Sequence, residues 1–210
     1  MKEVTIHPIV KDFLINEKKC IDARINLGHQ YVGKADVFGI KDIGGIYNSN
    51  MIGYAVEVKL ERAPFGKNVG QALGYSLFSH RCYFAVPSDD PFDDEDIEMA
   101  NRLGIGLIQI DIENKDCTEI LTAQHHEPIE GLFLTVADVL GYSQCTSCKE
   151  FFVHGKETSR RPPSTTAKTG RHFYYRMEKD NVFFTKSKKR WPVIICNTCL
   201  KTLEYHKKGD

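Results

Sequence analysis

The 210-residue chain predicts an α/β protein: a mixed sheet flanked by helices, with a smaller second domain toward the C-terminal end. Three observations predict it. Short β-type runs alternate with helix-type segments between residues 7 and 112, the order that places helices on the faces of a sheet. Two Cys-x-x-Cys pairs, Cys145 with Cys148 and Cys196 with Cys199, fall in the last third of the chain. Charge divides at the same place: residues 1–142 hold 13 Lys and Arg against 22 Asp and Glu, net −9, whereas residues 143–210 hold 15 against 6, net +9.

Each expected element has a local cause. Ile9, Phe13 and Leu14 among charged neighbours give an amphipathic helix over 7–20. Ala23 to Leu27, Ala35 to Ile40 and Ile52 to Leu60 read as strands, the last two joined through the Gly44-Gly45 and Asn48-Ser49-Asn50 turn clusters. Residues 68–79 become helical, with Val69, Leu73 and Leu77 spaced by four as an apolar stripe. Cys82 to Val86 is an apolar run stopped by Pro87, the mark of a buried strand. Pro91 stands near the start of an acidic helix that ends around Gly104, its early Asp and Glu residues suiting the helix dipole. Gly106 to Ile112 is a further buried strand. The expected order is helix, three strands, helix, strand, helix, strand. The expected domains are residues 1–125, a linker over 126–142, and a basic domain over 143–210, in which the Pro/Ser/Thr-rich Arg160 to Thr166 stretch is a loop.

Composition narrows the function classes. With 41% hydrophobic and 27% charged residues the chain is an ordinary globular protein. No run approaches the roughly 18 apolar residues of a membrane span, and Met1-Lys2-Glu3 leads into His and Pro, unlike a secretory signal. The expectation is a cytoplasmic protein with no membrane partner. Seven cysteines, four of them in close pairs, favour metal binding over a disulfide framework. A net charge of +9 on the C-terminal part is the electrostatic footprint of a phosphate-backbone partner. The competing reading is a solvated basic face that docks on the acidic half.

Two constellations carry chemistry. In Ala55-Val56-Glu57-Val58-Lys59 the side chains of Glu57 and Lys59 project from one face of a strand and Val56 and Val58 from the other. A carboxylate and an ammonium on an otherwise apolar strand need a partner or a purpose, because burying either alone is unfavourable. Asp36 near the start of the preceding strand adds a second carboxylate. Asp36 and Glu57 can bind one Mg²⁺ or Mn²⁺, leaving positions for water and a phosphate oxygen, while Lys59 orients the attacking water and offsets developing negative charge. The alternative is a strand salt bridge from Lys59 to Glu57 or Glu61, with Asp36 capping a turn.

At these residues the sequence resembles the PD-(D/E)XK nuclease superfamily. The resemblance rests on Asp36 in Lys34-Ala35-Asp36-Val37-Phe38-Gly39, on the Glu57-Val58-Lys59 triplet, and on Gln71-Ala72-Leu73-Gly74-Tyr75, which is similar to the Gln-x-x-x-Tyr motif of RecB-type members. Gln71 and Tyr75, four apart, share a helix face. The match covers about residues 7–112, and Ala35 replaces the proline of the family's name. It implies a restriction-endonuclease-like mixed sheet, phosphodiester hydrolysis, and Gln71 beside the metal site. Many members also carry an acidic residue on the first helix; Glu17 is the first candidate for it here and Glu3 the second.

The second constellation is Cys145, Cys148, Cys196 and Cys199. Two knuckles with 47 residues between Cys148 and Cys196 have the ligand type and local spacing of a closed tetrahedral Zn²⁺ site, and resemble a treble-clef finger. A small module would draw folding energy from such an ion. A redox pair and an iron–sulfur cluster are the competing readings. Arg160, Arg161, Arg171, Lys188, Lys189 and Arg190 lie between the pairs among Phe173, Tyr174, Tyr175 and Trp191, a mixture suited to phosphate contact and base stacking. The expected function is a Mg²⁺- or Mn²⁺-dependent nuclease acting on DNA, whose structural zinc module grips substrate, contacts a protein partner or supports a homodimer. The alternative is a non-catalytic nucleic-acid-binding or adaptor protein on a nuclease-like fold.

Overall fold

Strands whose two faces are both apolar require cover on both sides, and that requirement organises the N-terminal part of this protein. The computed structural model describes residues 2–30, 32–44, 50–145, 147–153, 176–177, 182–185, 193–196 and 199. The chain divides into two compact units, residues 1–44 with 51–140 and residues 45–50 with 141–210.

The first unit is built on a six-stranded sheet of β1 (Asp22–His29), β2 (Gly33–Asp42), β3 (Met51–Val58), β4 (Arg81–Pro87), β5 (Gly106–Asp111) and β6 (Asp116–Leu121), adjacent in sequence order. The first three strands form an antiparallel meander, β3, β4 and β5 run parallel, and β6 returns antiparallel. Parallel neighbours need crossovers, supplied by α2 (Phe65–Gly74) and α3 (Asp94–Leu103). On one face α1 (His7–Asn16) packs Val10, Phe13 and Leu14 against Val56, Val58, Tyr83, Ile108 and Ile110. Alternation sends Phe38 and Phe84 to the opposite face, where Phe84 meets Phe65 of α2 at 5.7 Å between ring centroids and Phe38 meets Phe78 at 6.1 Å. Each large side chain buried this way contributes about 1.5–3 kcal/mol.

Local signals fix the ends of α3. Asp93 and Asp96 form a reciprocal capping box at its start. Gly104 ends it at φ 72°, a left-handed conformation that favours glycine. Arg62, in the loop after β3, binds both Asp93 and Asp96 and so ties that loop to the start of α3.

Three parts of the sequence reading change. Helix α2 starts earlier than expected and continues as a 3-10 turn over Tyr75–Leu77. Its buried residues are Phe65, Asn68, Val69 and Ala72, not a Val69/Leu73/Leu77 stripe, and Leu77 is 44% exposed. The tighter 3-10 turn, with three residues per turn, rotates Leu77 away from the line that Val69 begins. Strand β6 went unforeseen because, apart from the buried Cys117, its residues are half-buried or exposed, as befits an edge, and three of the six are polar or charged at its start and middle (Asp116, Thr118, Glu119). Most of the expected 126–142 linker is α4 (Glu130–Leu140), which buries Phe133, Val136, Ala137 and Leu140 and extends the first unit to residue 140. Among the described residues no helix is long and apolar enough to cross a membrane.

The second unit holds an antiparallel pair, β7 (Tyr142–Gln144) with β8 (Phe151–Val153). It also holds an antiparallel three-stranded sheet in which β10 (Val182–Thr185) pairs with both β9 (Arg176–Met177) and β11 (Val193–Cys196).

Candidate active site

Strand β3 is buried along its whole length. Because Val56 and Val58 belong to the α1-side core, the period of two turns Glu57 to the opposite face, where it is 0% exposed. The antiparallel register Val37↔Val56 sets Asp36 beside it. Asp36 Oδ2 accepts a 2.8 Å hydrogen bond from the Val58 N–H, which fixes the carboxylate on the strand. Lys59 follows on the Glu57 side. Its backbone N–H donates to Ala85 O at 3.0 Å, and its Nζ pairs with Glu57 Oε1 and lies 3.0 Å from Glu3 Oε1.

Helix α2 and its 3-10 extension complete this arrangement. The Tyr75 hydroxyl bonds Glu57 Oε2 and stands 3.0 Å from the Lys34 carbonyl oxygen, and Gln71 Nε2 donates to that hydroxyl at 3.4 Å. Burial, reinforced by Glu57, pushes the Tyr75 phenol well above its ordinary range, so it stays protonated and acts as a donor. Burial also raises the Glu57 pKa; bonds from Lys59 and Tyr75 oppose that rise, and the charge of Asp36 adds to it. For Lys59, burial disfavours the ammonium, but hydrogen bonds to Glu57 and Glu3 outweigh it and hold the pKa above its ordinary value. The result is an ammonium between two carboxylates. Such a buried ionic group is better evidence of a purpose than of stability, since desolvation offsets most of the attraction.

The structure adds a residue that sequence reasoning missed. His7, at the start of α1, is 2% exposed with neither ring nitrogen hydrogen-bonded, and its Nε2 lies 3.9 Å from Asp36 Oδ1. Its sequence signal is slight, a lone His followed by Pro8 at a helix start. Of the two acidic candidates it is Glu3, in the 3-10 turn before α1, that reaches the site; Glu17 is exposed at the other end of the helix.

Glu57 is engaged by Lys59 and Tyr75, and the carboxylate site does not gather three potential side-chain ligands at close range. Among the described residues, one group does: the Sγ atoms of Cys145, Cys148 and Cys199 all lie within 4.8 Å of one another. Tetrahedral Zn–S bonds of about 2.3 Å separate sulfurs by about 3.8 Å, so this donor set fits one ion. The backbone builds the first knuckle. Cys145 N–H donates to Glu150 O at 2.8 Å, Lys149 N–H donates to Cys145 O at 2.9 Å, and Lys149 takes a left-handed φ of 66°. Cys196 ends β11, and its expected thiolate ligation lies outside the described residues, as do Arg160, Arg161, Arg171, Lys188, Lys189 and Arg190.

No known family model matches the chain, and no curated protein matches it. Among solved structures it is similar to a protein of unknown function from Silicibacter pomeroyi, with a TM-score of 0.46 and 16% identity, covering 66% of this chain and 83% of that one.

Proposed function

We propose that the first unit is a divalent-metal-dependent phosphodiesterase of the PD-(D/E)XK type with a restriction-endonuclease-like sheet, acting on nucleic acid and first of all on DNA. One observation carries this reading: Asp36, Glu57 and Lys59 converge where β2 and β3 lie side by side, and Tyr75 and Gln71 of the following helix bond into the same group. Asp36 and Glu57, with the unpartnered His7 beside Asp36, would hold Mg²⁺ or Mn²⁺, the mixed oxygen and imidazole set favouring Mn²⁺. When bound, that ion supplies Lewis-acid polarisation of a phosphoryl oxygen.

The side chains do the rest. Lys59 places a positive charge next to the carboxylates, where it orients water for attack on phosphorus as the bond to the leaving oxygen breaks, and offsets the negative charge that builds up. Tyr75 holds the Glu57 carboxylate in place, Gln71 steadies the Tyr75 hydroxyl, and Glu3 restrains the Lys59 ammonium. In the second unit, the thiolates of Cys145, Cys148 and Cys199, with Cys196, are inferred to hold a structural Zn²⁺, and the basic residues between the cysteine pairs are inferred to contact phosphates.

A non-catalytic nucleic-acid-binding role is the rival, favoured by the engagement of both Glu57 oxygens with Lys59 and Tyr75. The test incubates the full chain with labelled single-stranded, duplex and branched DNA in Mg²⁺ and in Mn²⁺. Cleavage by the parent, abolished in folded Lys59→Ala and Glu57→Gln, is the expected result. Cleavage that survives either substitution overturns the catalytic reading, and tight binding without cleavage establishes the rival.

A further inference from the structure

Strand β1 departs from regular geometry at one residue, and that residue adjoins the carboxylate pair. Asn26 takes a φ of 55° in the middle of the strand, within the left-handed region that residues other than glycine occupy at a cost. No inserted residue accounts for it. A bulge sets two residues against one, whereas Ile25↔Val37 is followed by Leu27↔Ala35 with the register unchanged, so position 26 stands opposite Asp36. Packing does not account for it either, because Asn26 is exposed and, among the described residues, its amide has no hydrogen-bond partner. Strain of this kind, retained where the fold gains nothing from it, clusters at functional sites.

The surroundings set Asn26 at the mouth of the site. Ala23 and Ile25 pack on the α1 side of the sheet, so alternation assigns position 26 to the face that carries Asp36 and Glu57. On the far side of Asp36 the β2–β3 ladder stops at Val37↔Val56, and the Val58 N–H turns to the Asp36 carboxylate. Regular pairing is therefore interrupted on both flanks of that carboxylate. Exposure rises across the same row, from 1% for the Glu57 side chain to 20% for Asp36 and then to the exposed Asn26. A ligand thus reaches the carboxylates past β1. A phosphodiester on that path meets two like charges, and an amide offers its oxygens N–H donors without adding a third. Asparagine also tolerates a left-handed backbone better than most residues that bear a side chain.

We propose that Asn26 is a further substrate-contacting residue of the Asp36–Glu57 site, its left-handed backbone presenting the side-chain amide as a donor to a non-bridging oxygen of the scissile phosphodiester. The inference rests on the phosphodiesterase reading and specifies how that site holds its substrate.

The test compares the full-length parent with Asn26→Gly and Asn26→Asp on labelled single-stranded, duplex and branched DNA. It measures the thermal midpoint, kcat and KM in Mn²⁺, and the dissociation constant of the DNA with Ca²⁺ replacing Mn²⁺ to suppress cleavage. Asn26→Gly suits the left-handed backbone and removes only the amide. Its midpoint should stay close to the parent's, because glycine relieves the strain while loosening the unfolded chain. Its kcat/KM should fall about tenfold or more, the scale of a lost hydrogen bond to a charged oxygen. Asn26→Asp keeps the shape and the backbone preference but replaces the donor with a charge. Its dissociation constant should rise about tenfold or more, and the ratio to the parent should shrink as salt screens the repulsion. Parental kcat/KM and affinity in Asn26→Gly overturn the inference, leaving asparagine there for the backbone alone and the phosphodiesterase reading intact. Parental affinity in Asn26→Asp overturns it as well. A parent chain that neither binds nor cuts any of the three DNAs overturns the phosphodiesterase reading and this inference with it.

Discussion

His7 is unusual at the scale of a single residue because nothing in the folded chain uses its polarity. A buried polar group left unsatisfied costs about 1–3 kcal/mol, and both ring nitrogens lack a hydrogen bond, with Nε2 3.9 Å from Asp36 Oδ1. His7→Leu, which keeps a similar volume, is therefore expected to stabilise the apo protein by about 1–3 kcal/mol in urea unfolding and to weaken Mn²⁺ binding in calorimetry. A destabilised variant with parental Mn²⁺ affinity would show that His7 serves packing alone. Other site residues were legible for a reason His7 was not. Glu57 and Lys59 break the apolar pattern of their strand at a spacing of two, and Gln71 and Tyr75 stand at i, i+4 on a helix, so periodicity exposes them. His7 and Glu3 are brought to Lys59 and Asp36 by the way α1 and its preceding turn lie on the sheet, and no local pattern encodes that placement.

Among the elements, the docking of α4 depends on another histidine. His80 Nδ1 accepts a 3.0 Å hydrogen bond from the Gly53 N–H, its ring meets Phe133 of α4 edge-on at 4.5 Å, and its carbonyl accepts from His126 N–H at 2.8 Å. Beside it lie Arg81, next in the chain, and the His125 ring at 5.3 Å, itself 3.2 Å from Glu127 Oε1. Burial, then His125 and Arg81, lower the His80 pKa from 6.5 to about 4. With the folded value below the unfolded one, the folded state prefers neutral imidazole. The stabilisation is complete above pH 6.5 and declines as pH falls from 6.5 toward 4. Discounted for partial exposure, the loss is about 1–2 kcal/mol. His80→Asn, whose amide oxygen can accept from Gly53 without titrating, is expected to flatten the pH dependence of the urea midpoint over that window; an unchanged profile would assign the dependence to other groups. Helix α4 itself was hidden in the sequence. Its apolar residues Leu132, Phe133, Leu134, Val136 and Val139 follow the turn-like His125-His126-Glu127-Pro128 stretch, and a position between the two expected domains made them resemble a linker. Strand β4 was plain because one uninterrupted apolar run ended at proline.

For the molecule as a whole, the zinc proposal divides the seven cysteines into two chemical classes, and one labelling experiment tests that division. Cys20, Cys82 and Cys117 lie buried in the first unit, and burial pushes each thiol up to about 12. They remain protonated at neutral pH and should resist alkylation until the first unit unfolds. The Cys145, Cys148 and Cys199 sulfurs are gathered in the second unit, where the proposed zinc ion would hold them as thiolates and block them. The native protein is therefore expected to contain one zinc per chain and to take up little iodoacetamide. A strong chelator should release four alkylation sites, Cys145, Cys148, Cys196 and Cys199, while the other three stay protected until denaturant is added. Because ion binding to such sites contributes folding free energy, the same chelation should open residues 141–210 to limited proteolysis and leave residues 51–140 resistant. Cys148→Ser should reproduce both effects without chelator. If four sites label in the native state and the chelator changes nothing, the pairs are redox-active thiols rather than zinc ligands, and the stability of the second unit must come from its strands. If chelation exposes the first unit as well, the metal supports both units, and loss of DNA cleavage on chelation would then report unfolding rather than a role for zinc in gripping substrate.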